Sequence, residues 1–123
     1  LGIRAGMRAI FLHAPEYYLN RLGSLMDRVN TPAELTDASL DFVQAFYAQR
    51  SRLVEELPSL KAALQLYGTL WICWPHQKIN VPCDLTEAIV RECGRAAGFD
   101  DLQVEWMDAL WVGVKFIPTI PRN

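Results

Sequence analysis

A chain of 123 residues, 51% hydrophobic and 21% charged, can bury one sizeable core and is too short for two. A net charge of −2 with scattered basic residues gives no electrostatic footprint for nucleic acid or an anionic membrane. The longest apolar runs, "LWICW" and "ALWVGV", fall far short of the ~20 residues that a spanning helix needs.

In chain order, residues 8–13, "RAIFLH", form a short apolar run after Gly6 and read as a buried strand. Pro15 suits the first turn of a helix, where its missing N–H costs nothing, and Glu16 favours the positive end of the helix dipole. The helix "PEYYLNRLG" ends at Gly23. In residues 25–36, "DRVN" reads as a weak strand and "TPAE", with its capping pattern, as a turn or single helical turn. "LDFVQAFY" is the next strand. In "AQRSRLVEELPSLKAALQLYG", Leu53, Leu57, Leu60 and Leu64 recur at helical spacing. Pro58 is expected to break or kink that helix, leaving residues 59–65 as a second short one that ends by Gly68.

"TLWICWP" is the strongest strand, apolar on both faces, and therefore central. "HQKINVPC" loops out, and "DLTEAIVRECGRAAG" is a helix capped by Asp84 with Glu87 as its partner. Ile89, Cys93 and Ala96 or Ala97 line its buried stripe, and Gly98 ends it. "LQVEW" alternates as a half-exposed strand. "LWVGVKFI" follows after only "MDA", so the last two strands form an antiparallel hairpin.

Strands alternating with helices predict a small α/β, three-layer Rossmann-like domain over residues 1–123, with a mainly parallel sheet of about six strands. The order resembles the class I methyltransferase fold, whose final strand inserts antiparallel. "LKAALQLYGTLWICWP" is similar to its helix-then-strand segment and "AAGFDDLQV" to the stretch before its hairpin. That resemblance implies the strand order 2-1-3-4-6-5, with Trp111 close to Pro75 and Gly113 in the sheet interior.

A more specific likeness is carried by "LGI" at the start, Gly6, "APE" from Ala14, "DFVQ" from Asp41, Trp74 with Pro75, and Val81 with Pro82. "DLTE" from Asp84, Trp111, Gly113 and Lys115 complete it. In these residues the chain resembles the bacterial domain of unknown function 3052 family. The resemblance implies this fold and a few further residues before Leu1, and it implies no activity. His76 and Gln77 stand where that family often has two lysines, and Cys83 where Thr is usual.

Ligands of parallel α/β sheets bind at the carboxyl ends of the strands. A methyltransferase or dinucleotide site needs glycines after the first strand, so that the backbone approaches the cofactor closely. Here the chain reads "FLHAPEYY": Pro15, Glu16, Tyr17 and Tyr18 supply ring, charge and bulk. Glu16 would also repel a carboxylate or a pyrophosphate. No cofactor is therefore expected.

The same edge should still gather His13, Glu16, His76, Lys78, Asp84 and Trp111 as a ligand-binding set. A His–Asp pair suits acid–base work, and Lys78 beside a helix N-terminus suits an anion. A capping aspartate, two surface histidines and an exposed lysine would account for the same residues without any ligand, and their spacing matches no catalytic signature. Cys83, one residue before the helix, would be activated only by the dipole and a base such as His76. His13, His76 and Asp84 are too widely spaced for an ordinary metal site. Cys73, Cys83 and Cys93 fit neither a disulfide framework nor a zinc site and point to reduced thiols in the cytoplasm. The four tryptophans are expected as sheet cover.

Together these features point to a non-catalytic Rossmann-like domain that binds a small ligand or a protein partner, and neither nucleic acid nor membrane. An enzyme, hydrolase or group transferase, built on His76, Cys83 and Asp84 is the alternative. A homo-oligomeric module pairing through its terminal hairpin is a third.

Overall fold

The computed structural model describes residues 2–31, 39–76 and 81–120. Among them the chain forms β1 (Ala9–Leu12), α1 (Glu16–Leu22), a 3-10 helix (Gly23–Arg28), β2 (Leu40–Phe46) and α2 (Arg50–Ala63). Then come β3 (Leu64–Pro75), α3 (Glu87–Ala96), β4 (Phe99–Trp106) and β5 (Trp111–Pro118). The five strands lie in the order β1-β2-β3-β5-β4. β1, β2 and β3 run parallel, and β5 is antiparallel to both β3 and β4.

Among the described residues this is the expected α/β arrangement without its outermost strand. Gly23–Arg28 winds as a 3-10 helix, and Asn30 alone reaches β1, in an isolated parallel bridge to Arg8. Its N–H donates to the Met7 carbonyl at 2.8 Å and its own carbonyl accepts from Ala9 N–H at 2.8 Å. In "DRVN" only Val29 is buried, too little apolar surface to hold a strand against the core. Residues 32–34 of "TPAE" lie outside the described residues.

Helices cover both faces. Leu53, Leu57 and Leu60 of α2 and Val90 and Cys93 of α3 pack with Val43, Leu70, Ile72, Val114 and Phe116 on one face. Tyr18 of α1 packs with Phe42, Phe46, Trp71 and Cys73 on the other. β3 contributes to both clusters, as its two-sided apolar sequence predicts.

Three local expectations are corrected. α2 continues through Pro58, whose lost N–H would cost a helix interior about 3 kcal/mol. Pro58 and Val54, one turn earlier, both lie on the solvent side, so the carbonyl deprived of its donor faces water, while the Leu53, Leu57 and Leu60 stripe holds the helix to the sheet. Gly68 does not end a helix: α2 passes straight into β3 at Leu64, and Gly68 lies within β3, where the pairing slips between Leu40–Leu64 and Phe42–Thr69. α3 is capped by Thr86, whose hydroxyl accepts from Ile89 N–H at 3.2 Å, and not by Asp84. Its buried residues are Val90, Cys93 and Gly94; Ile89 and Ala97 pack partly buried against the same core as expected, while Ala96 is exposed.

The hairpin is as expected. Pro75 pairs with Trp111, Trp74 with Val112 and Cys73 with Gly113. Arg91 and Arg95 on α3 both donate to the Asp101 carboxylate on β4. Those donors hold Asp101 well below the usual carboxylate range and fix α3 to the edge strand.

Candidate functional site

α1, after β1, lies on one face of the sheet and α2, after β2, on the other. The strand connections therefore reverse between β1 and β2, and the crevice beyond Leu12 and Phe46 is where such a sheet binds ligands. The first residue past β1 is His13 and the first past β2 is Tyr47.

These two meet a carboxylate from α2. His13 Nε2 donates to Glu56 Oε1 at 2.9 Å, Tyr47 Oη donates to the same oxygen at 2.8 Å, and Arg52 Nε donates to Oε2 at 3.1 Å. With Nε2 so engaged, His13 Nδ1 is left to accept from Arg52, 3.4 Å away. The His13 and Tyr47 rings meet edge-on at 5.5 Å. Burial alone would raise the Glu56 carboxyl, but the three donors outweigh it and leave the group below its ordinary value. Burial, and then the bond to Glu56, push the Tyr47 phenol far up.

His13 has φ 58°, the one positive φ outside glycine among the described residues. That conformation costs an L-residue roughly 1–2 kcal/mol and persists where the surroundings over-determine it. Here three bonds onto Glu56 do so. Pro15 takes the N-cap position of α1 rather than its first turn.

The other side of the crevice is filled by α1. Tyr18 is buried and accepts from Gln44 Nε2 at 2.8 Å, and Tyr17 Oη donates to Asp108 at 3.1 Å in the turn between β4 and β5. Arg21 stands 3.6 Å from the same carboxylate. Phe46 sits edge-on between Tyr18 at 5.1 Å and Trp111 at 5.0 Å. Trp111 is therefore sheet cover under α1. Gln44 Oε1, fully buried in this cluster, has no partner among the described residues.

The remaining expected residues form a second place. His76 stacks on Trp106 with centroids 4.4 Å apart. Together with Pro75, Val81, Cys83, Asp84, Leu85 and Thr86 it lines a cleft of about 260 Å³. Asp84 Oδ1 accepts from Arg50 N–H at 2.6 Å, so this aspartate caps α2 from a distant loop. Cys83 accepts from Leu85 N–H at 3.4 Å and stands three residues before the Thr86 cap, not one residue before the helix. Glu16 is exposed in the first turn of α1. Lys78 lies outside the described residues.

His13 is thus in one place and His76, Cys83 and Asp84 in another. Among the described residues no group of three or more His, Cys, Asp or Glu is arranged to hold a metal ion. No described helix is long and apolar enough to cross a membrane. The residues the sequence did not reveal, Tyr47, Arg52 and Glu56, each have an ordinary surface or strand context; only Gln44, a polar residue inside an apolar strand, carried a visible signal.

No protein-family model matches the chain, and no curated protein does. Solved structures do match. A SAM-dependent methyltransferase from Aquifex aeolicus superposes with a TM-score of 0.69 at 15% identity, covering 96% of this chain and 85% of that one. The chain has the Rossmann-like methyltransferase fold. A Burkholderia thailandensis 1,6-didemethyltoxoflavin-N1-methyltransferase, solved with S-adenosylhomocysteine, gives 0.60 at 13% identity over 94% of this chain and 72% of that chain. A 16S rRNA adenine methyltransferase from Catenulisporales acidiphilia gives 0.57 at 15% identity, covering 97% and 88%. Within the methyltransferase fold, the crevice beyond β1 and β2 is here lined by His13, Tyr47, Arg52 and Glu56 bonded to one another.

Proposed function

We propose that this chain is a non-catalytic, cytoplasmic domain on a methyltransferase fold, of the domain of unknown function 3052 family, which binds a small ligand or a protein partner. The observation that carries this is the closed crevice between β1 and β2. His13, Tyr47 and Arg52 spend their donors on Glu56, and Tyr17 and Tyr18 pin α1 across the neighbouring strand ends. A nucleoside cofactor would have to displace these bonds and then meet Pro15 and Glu16 where close backbone approach is needed. α1, at seven residues, is also a short helix for holding an anion against the Glu16 charge.

The cleft beside His76 supports the ligand-binding side of the proposal. Its grouping of His76, Cys83 and Asp84 is also what favours the second reading, an enzyme. Against that reading, the Asp84 carboxylate is taken up by Arg50 N–H, where it caps α2. Calorimetric titration with S-adenosylmethionine and with NAD separates the cases. No saturable heat is expected at millimolar ligand. A micromolar affinity for either would overturn the non-catalytic proposal.

A further inference from the structure

A second concavity lies at the opposite edge of the sheet, at the amino ends of β2 and β3. It measures about 740 Å³ and is walled by residues 2–7 and by Asp41, Gln65, Tyr67, Thr69 and Lys115, within the ~300–1,000 Å³ range of small-molecule sites. Arg4 also lines it. Neither Arg4 nor Lys115 forms an ion pair with any described residue.

The one acid in the wall is already used. Asp41 Oδ2 accepts from Arg8 N–H at 2.9 Å and Oδ1 from Gln65 Nε2 at 3.3 Å. Gln65 Oε1 in turn accepts from Tyr67 N–H at 2.7 Å. This run of bonds fixes the backbone of Tyr67, while its ring stays 77% exposed, more than any other large hydrophobic side chain described. That exposed ring, on a backbone fixed at the cavity wall, offers a face for a flat ligand. Two cations without an ion pair among the described residues outnumber the one carboxylate of the wall, and their donors suit a phosphate.

We propose that this cavity binds a small aromatic phosphate of about mononucleotide size, its phosphate held by Arg4 and Lys115 and its ring stacked on Tyr67. The site is independent of the carboxyl-edge crevice.

Uridine 5′-monophosphate is the probe, titrated into the ¹⁵N-labelled chain, with uridine and inorganic phosphate as its parts. Saturable amide shifts are expected at Gly6, Tyr67, Thr69 and Lys115, with each part binding at least ~10-fold more weakly than the whole. Lys115→Met, which keeps the packing of the stem, and Tyr67→Ala, at a position too exposed to disturb the core, should each weaken the nucleotide about tenfold. The proposal is overturned by shifts centred on His76 and Asp84, by no saturation at ~10 mM, or by parent affinity in Lys115→Met. Equal affinity for inorganic phosphate would equally overturn it, marking an adventitious ion only.

Discussion

Gly94→Ala is expected to destabilise the chain by about 3 kcal/mol or more, although the same change in an exposed helix interior would gain close to 1 kcal/mol. Gly94 lies on the buried face of α3. A Cβ there would fall well inside contact distance of Phe116 Cε1 and only 2.9 Å from Cδ1. Phe116 is fully buried on β5 and meets Phe99 edge-on at 6.1 Å, so its ring has no free direction in which to move. Either α3 lifts from the sheet or Phe116 leaves its rotamer. A urea melt reads the outcome as a lowered midpoint. An unchanged or raised midpoint would mean that α3 does not pack on β5 this closely.

Gly113→Val tests the inner hairpin strand, and a loss of roughly 1–3 kcal/mol is expected. Valine has the better strand propensity, so an exposed edge would show no loss or a slight gain. Here Gly113 pairs with Cys73 across the sheet. A Cβ would stand 3.0 Å from Cys73 Sγ, 3.3 Å from Met107 Cε and 3.3 Å from Trp71 Cε3. Met107 can yield, because its chain is flexible. Trp71, 1% exposed and set between both strands, cannot. The Cβ alone is tight, and the two further methyls of valine make the overlap worse. Unfolding of this variant, compared with Gly113→Ala, should show the loss growing with side-chain size.

Much of the scaffold was legible because its signals are local. "TLWICWP" carries two apolar faces in seven letters, the leucines of α2 repeat at helical spacing, and "MDA" is too short for anything but a hairpin. The neighbour relation of Trp111 and Pro75 was not among them: it came from the resemblance to the methyltransferase fold, and the pairing of β3 with β5 agrees with it. What failed did so where tertiary contacts overrule local preference. Pro58 is tolerated because packing of the leucine stripe outweighs one lost bond. Asp84 looked like the cap of the helix that follows it and instead caps α2, whose N-terminus the fold brings alongside. The site was less legible than the scaffold. His13 was expected at the carboxyl edge and is there, but its partner Glu56 lies on a helix 43 residues later. Nothing in the surroundings of Glu56 distinguishes it in sequence from Glu55.

In the proposed non-catalytic role, Glu56 gathers His13, Tyr47 and Arg52 for structure and closes the crevice between β1 and β2. The unfolding free energy of Glu56→Ala tests it most directly. Removing the carboxylate strands the hydroxyl of Tyr47, a residue only 2% exposed, and frees the strained turn at His13. A loss of about 1–3 kcal/mol at neutral pH is expected. Because the folded Glu56 carboxyl sits below its ordinary value, its stabilisation is present above the unfolded value near ~4.3 and fades as the pH falls below it. Parent and variant should therefore converge in acid. A Glu56→Ala chain as stable as the parent, or more stable, would contradict the claim, since groups held for catalysis or binding commonly cost stability rather than supply it.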